Sequence, residues 1–166
     1  MFECSIRMMV RGKLTKETEQ VSAMREFNRF YTARLGLLRK RHLDGEFSLT
    51  EARILYEIWA SPQLTASSLR NTLELDAGYI SRLLAQLAKR RLVRQAVSKV
   101  DGREKLLSLS SMGEKKVAKL NKQSALQIQG LLKTLSAPDR DTLIASLSKA
   151  LSILSENQKT AIQIVL

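Results

Sequence analysis

Between Val93 and Ser110 the chain reads VRQAVSKVDGREKLLSLS, two alternating runs about an Asp101-Gly102-Arg103 tip. Asp-Gly in this setting specifies a β-hairpin, because glycine supplies the positive φ that a tight turn needs. The hairpin follows directly on a helical stretch, Asp76 to Arg91, that ends in Lys89-Arg90-Arg91. Its tip and flanks carry Arg94, Lys99, Arg103 and Lys105. A basic helix followed at once by a basic two-stranded ribbon makes a surface suited to a polyanion. The order also narrows the fold: mainly α, with one small β-hairpin.

The helices are read from their apolar spacing. Val21, Met24, Phe27, Phe30-Tyr31, Leu35 and Leu38 recur every three or four residues and predict an amphipathic helix over 16–42, broken at His42-Leu43-Asp44-Gly45. Ser48-x-x-Glu51 is a capping box opening a helix over 49–60, with Leu49, Ile54-Leu55 and Ile58-Trp59 inward. Thr65 caps a short helix over 66–73, and Asp76 caps the next, over 77–91. In the latter Ile80, Leu83-Leu84 and Leu87 face inward, while Ala77, Gly78, Ser81, Arg82, Gln86 and Lys89 face outward. Two short helices joined by a turn, the second basic outside, make a helix-turn-helix. Beyond the hairpin, Ser111-x-x-Glu114 is a further capping box for a long helix over 112–135. Ser136 and Pro138 restart the chain into a last helix over 138–157.

Charge speaks to partners. The chain of 166 residues has a net charge of +12. Residues 76–105 hold a net of +5, against −1 for residues 49–75, so the excess gathers on the helix and hairpin. Nucleic acid is the commonest partner for such a surface. Cys4 is the single cysteine, which excludes an internal disulfide and fits a reducing cytoplasm. No apolar run has the length of a membrane span, and residues 1–15 read as an N-terminal extension without a signal-peptide core.

Enzyme chemistry finds little to work with. One histidine and one cysteine leave no zinc cluster, and neither GxxxxGK[ST] nor GxGxxG occurs. His42 reads as a helix C-terminal residue that interacts with free carbonyls. No catalytic residue, metal or cofactor is expected.

DNA binding divides the labour physically. A helix fits the major groove and presents side chains to base edges. Arg103 at the hairpin tip can reach a narrow minor groove, and Asp101 serves the turn or orients an arginine. The segments 16–46 and 112–160 carry wide apolar stripes that one small winged module, 47–111, cannot cover. They are therefore read as dimerisation helices. A two-fold homodimer repeats the reading helix about 34 Å away, one DNA turn, and so calls for a pseudo-palindromic site.

The run LTASSLRNTLELDAGYISRLLAQLAKRRLVRQAVSKVDGREKLLSLSSMGEK, residues 64–116, resembles the MarR family of bacterial winged-helix repressors. Within it, MREFNRFYTARLGLL (24–38) and LDAGYISRLL (75–84) are most similar to the regulator half of chains fused to a GNAT acetyltransferase. The [RQ]xxGx[GA] loop that holds acetyl-CoA is missing, so the enzyme is not carried over. The resemblance implies a cytoplasmic homodimer that binds duplex DNA and represses transcription, with a small aromatic or carboxylate effector. It implies Arg103 as the wing arginine beside Asp101, with Lys99 and Lys105 flanking. Ser81, Arg82 and Gln86 become base or phosphate contacts, Ser67, Ser68 and Lys89 backbone contacts, and Tyr79 a stacking or phosphate-bonding residue next to Ala77 and Gly78. Arg34, His42, Tyr56 and Trp59 fall near the implied effector cleft. Two rival classes stand beside this one. One is the regulatory portion of an acetyltransferase system; the other is a basic helical interaction protein for RNA or membrane.

Overall fold

The computed structural model describes residues 15–37, 42–98 and 104–164. Along them run α1 (Lys16–Arg34), a 3-10 turn at His42–Asp44, α2 (Leu49–Ala60), α3 (Ala66–Leu73) and α4 (Ala77–Lys89). Then come β1 (Val93–Val97), β2 (Lys105–Leu109), α5 (Ser111–Leu132) and α6 (Ala137–Ile164). The chain divides into two compact units, Met1–Leu120 and Asn121–Leu166, with the division inside α5. The expected architecture, helices with one antiparallel hairpin, is the one observed.

The core belongs to the first unit. Ile54, Leu55 and Ile58 of α2 meet Leu69 of α3 and Ile80, Leu83, Leu84 and Leu87 of α4. Leu92, Val93, Leu107, Val117 and Leu120 close it beneath the hairpin and the start of α5. Each such side chain taken fully out of water contributes about 1.5–3 kcal/mol, so this one cluster fixes how α2, α3 and α4 meet. The inward stripe of α4 is the one its spacing predicts. On α2 the prediction errs at both ends, since Leu49 and Trp59 are exposed. Twelve residues of α2 cannot turn every apolar side chain toward one neighbour, and the buried arc is centred on Ile54, Leu55 and Ile58.

In the hairpin Val93 pairs with Leu109, Gln95 with Leu107 and Val97 with Lys105. A third segment joins it, because the Leu107 N–H donates to the Leu64 carbonyl at 2.8 Å and Thr65 bridges Leu106. The entry to α3 is thereby bonded to the root of the wing, a link that a capping reading of Thr65 does not contain.

Helix ends differ most from expectation. α1 stops at Arg34 rather than 42, because Gly36 takes φ 63° and the Leu37 N–H reaches back to the Thr32 carbonyl at 3.0 Å. That is a Schellman motif, in which a left-handed residue after the helix satisfies its last carbonyls. α4 ends at Lys89 by the same device, with Arg91 at φ 57° and the Leu92 N–H on the Leu87 carbonyl at 3.0 Å. A non-glycine residue in that region is held there by its surroundings. α5 begins at Ser111, so its cap is Ser110 and the Ser111 capping box does not form. α5 ends at Leu132, short of 135, and α6 extends to Ile164, past 157. At the turn between them Ser136 caps α6 as expected, its hydroxyl accepting from the Asp139 N–H.

None of the described side chains of α1 or α6 is buried. Phe30 is 63% and Leu151 68% exposed, and Val21, Met24, Phe27, Ile144, Leu147 and Leu154 are exposed with them. Among the described residues no helix is long and apolar enough to cross a membrane.

Candidate nucleic-acid interface

α3, α4 and the hairpin pack on one another. Thr65 opens α3 by accepting from the Ser68 N–H at 3.1 Å, and Asp76 opens α4 by accepting from the Tyr79 N–H at 2.9 Å. The two caps have different electrical consequences. Asp76 sets a carboxylate at the positive end of the α4 dipole, where it competes with a phosphate. Thr65 is neutral and leaves the start of α3 open to an anion. Ser68 is engaged in that cap, its hydroxyl 3.0 Å from Thr65 Oγ1, whereas Ser67 stands clear of it.

Four of the expected contacts share one groove. Ser67 of α3, Ala77 and Ser81 of α4 and Lys105 of β2 line a depression of about 280 Å³ between the two helices and the hairpin. Its remaining polar lining is Arg70 and Gln95. Sequence reasoning missed both. Arg70 sits on the same helix as the expected contact Ser67, but its groove side follows only from how α3 packs on α4, and Gln95 shows its groove side only once the register with Leu107 is known. Further along α4, Gly78, Arg82, Gln86 and Lys89 are exposed as expected, and Tyr79 is exposed with them. A Cβ on Gly78 would stand 3.9 Å from Arg82 Nη1, so the Arg82 guanidinium leans back over the first turn. Among the described residues no ion pair engages Arg70, Arg82, Lys89, Arg94 or Lys105. Their charge is left for a partner.

Arg90 departs from this pattern. It follows Lys89 in the run counted as basic surface, yet its Nη1 lies 2.9 Å from Glu51 Oε1 and its guanidinium 4.5 Å above the Phe47 ring. It points into the protein.

Lys99, Asp101 and Arg103, expected at the wing tip, lie outside the described residues. The strands leading to the tip are in register up to the Ser98 N–H, which donates to the Glu104 carbonyl at 2.9 Å. The expected effector residues fall on three separate elements. Arg34 is the exposed last residue of α1. His42 opens the 3-10 turn rather than ending a helix, and among the described residues its buried Nδ1 has no hydrogen-bond partner. Burial holds its pKa below the ordinary imidazole value. Tyr56 and Trp59 are exposed on α2 with ring centres 5.7 Å apart, and the guanidinium over Tyr56, at 5.8 Å, is that of Arg53. No group of acidic, histidine or cysteine side chains suited to a metal ion occurs among the described residues.

Residues 47–104 match the MarR family model. Solved structures share the fold over most of the chain. A cysteine-to-serine variant of MarR from E. coli, complexed with operator DNA, aligns with TM-score 0.65 and 22% identity, covering 82% of this chain and 99% of that one. MepR from S. aureus in a DNA complex aligns with TM-score 0.63 and 22% identity, covering 78% and 96%. PcaV of Streptomyces coelicolor with its natural ligand aligns with TM-score 0.60 and 18% identity, covering 85% and 97%. No curated protein sequence matches the chain.

Proposed function

We propose that the MarR-family winged helix of residues 47–104 makes this chain a bacterial transcription regulator, a repressor that acts as a homodimer on pseudo-palindromic duplex DNA. Residues 76–91 enter the major groove, the wing at 97–105 reaches the minor groove with Arg103, and binding of a small aromatic or carboxylate effector releases the DNA. The protein works in the cytoplasm, and residues 24–38 and 75–84 resemble the regulator halves of acetyltransferase fusions. The observation that carries this is the groove between α3, α4 and the hairpin, where Ser67, Ser81, Gln95, Arg70 and Lys105 converge beside cations that have no ion pair among the described residues. Hydroxyl, amide and cationic groups on a helix narrow enough for the major groove are the donors and acceptors that base edges and phosphates take. The DNA complexes among the similar structures and the ligand complex of PcaV support both halves of the reading.

Selection of random duplexes by the purified protein, followed by sequencing, tests it. The expected product is a palindrome with half-sites about one helical turn apart. Enrichment of no duplex, or displacement of duplex by anionic vesicles, overturns it.

A further inference from the structure

Both carboxylates near Arg90 use two oxygens to join two places each. Glu51 accepts from the Ser48 N–H at the start of α2 through Oε2, at 2.7 Å, and takes Arg90 Nη1 through Oε1, at 2.9 Å. Glu46 takes Lys116 of α5 through Oε1, at 2.6 Å, and faces Arg90 Nη2 through Oε2, at 3.9 Å. The Arg90 guanidinium carbon also sits 4.5 Å from the centre of the Phe47 ring, itself only 2% exposed and so a fixed floor. Arg90 is the C-cap that follows α4, and the next residue, Arg91, is already turned into the left-handed region. The last turn of α4 is thus held from α2 on one side and from α5 on another.

We propose that Arg90 is a positioning residue for α4: by bridging Glu51 and Glu46 over Phe47 it sets the angle at which Ser81, Arg82 and Gln86 are presented. This rests on the DNA-binding reading above. The contribution is geometric, because partly exposed ion pairs add little to stability, whereas a planar fork on an aromatic floor fixes orientation in a way that a lysine does not reproduce. The chain Lys116–Glu46–Arg90–Glu51 also offers a route by which a shift of α5 reaches α4, through groups in direct contact.

The test compares the wild-type chain with Arg90→Gln and Arg90→Lys, using a selected duplex and an unrelated duplex over a range of salt concentrations, with amide hydrogen exchange at Leu92. For Arg90→Gln, affinity for the selected duplex falls about tenfold, the scale on which a lost support residue acts, and affinity for the unrelated duplex stays unchanged. The slope of log affinity against log salt is unaltered, and exchange at Leu92 is faster. Arg90→Lys shows the same loss in weaker form; it keeps the charge and serves where the glutamine variant fails to fold. A slope lower by about one in Arg90→Gln, with Arg90→Lys like the wild type, marks a phosphate contact and overturns positioning. So does an unchanged ratio of selected to unrelated affinity in both variants. A wild-type chain that prefers no duplex instead removes the DNA-binding reading itself, and this inference with it.

Discussion

The Ser110 hydroxyl donates to the Arg91 carbonyl at 2.6 Å, tying the residue just past α4 to the residue that caps α5. The same oxygen accepts from the Gly113 N–H at 3.0 Å, and the Ser110 N–H donates to the Leu92 carbonyl at 2.9 Å. One buried serine therefore joins the end of α4, the first residues of the hairpin and the start of α5. Ser110→Ala removes the cap of α5 and leaves the Arg91 carbonyl without its donor. The expected cost is about 1–3 kcal/mol, read as a lower denaturation midpoint at unchanged slope.

Gly113 completes that junction from the other side. A Cβ there would stand 2.2 Å from the Leu92 carbonyl oxygen, far inside contact distance. That carbonyl cannot withdraw, because it accepts from Ser110. Alanine would favour an ordinary helix by about 1 kcal/mol, but here the clash outweighs it. Gly113→Ala is expected to destabilise by about 2 kcal/mol or more; thermal unfolding at or above the wild-type midpoint would show that the junction yields.

These junctions also show where the sequence was readable. The inward stripe of α4 was legible because Ile80, Leu83, Leu84 and Leu87 obey one period and meet one core. The hairpin was legible because Asp-Gly and the alternating strands agree. Helix ends were not, although Gly36 carried a usable signal for the end of α1. Arg91 carried none, since its side chain gives no sign of the left-handed region, and its carbonyl is held by Ser110, 19 residues further along. Arg90 was misjudged for a related reason. A cation in a basic run looks like surface until the carboxylates 39 and 44 residues earlier are folded beside it. Arg70 and Gln95 entered the groove only through the packing of α3 on β2.

Two groups give stability separate pH windows. The partly buried His42 ring has its pKa lowered by desolvation, so the unfolded chain takes up the proton first. Stability therefore falls as pH drops below about 6.5, where a free imidazole charges, and levels off below the folded-state pKa. Glu46 has its pKa lowered, chiefly by the hydrogen bond from Lys116, with Lys116, Arg90 and Lys119 adding their charges. Its contribution is present above the ordinary carboxylate range and is lost as pH falls through its folded-state value; being half exposed, it is modest. Against wild type in a series of denaturation curves, His42→Phe should lack the loss of stability that the wild type shows as pH falls below about 6.5. Glu46→Gln should converge on wild type only below about pH 4.5. Parallel curves across both windows would remove the two assignments.

Among the outward residues of α4, Arg82 leans over the first turn and Lys89 sits at the last. We expect Arg82→Ala to cost about 1–3 kcal/mol of affinity and to relax preference at one base position, whereas Lys89→Ala weakens all duplexes alike and lowers the salt slope by about one. Arg103→Ala at the wing tip is expected to cost a similar 1–3 kcal/mol or so while leaving subunit association intact. Titration of each variant at several salt concentrations separates the patterns; a flat salt response of the wild type would argue against a phosphate-binding surface altogether.

The apolar stripes of α1 and α6 call for a cover that the described residues of one chain do not supply. Val21, Met24, Phe27 and Phe30 on α1, and Ile144, Leu147, Leu151 and Leu154 on α6, are exposed at helical spacing. A second copy would bury them, and a carboxylate placed among them would have to lose its water on association. Phe30→Glu and Leu151→Glu should therefore shift sedimentation from dimer to monomer while the core around Leu69 and Leu87, to which neither residue belongs, keeps its melting transition. The monomer should still recognise a half-site, but without the gain that a tethered second reading helix adds, commonly about a hundredfold or more. A chain that sediments as a monomer before any substitution would leave those stripes unexplained and the palindrome without its physical basis.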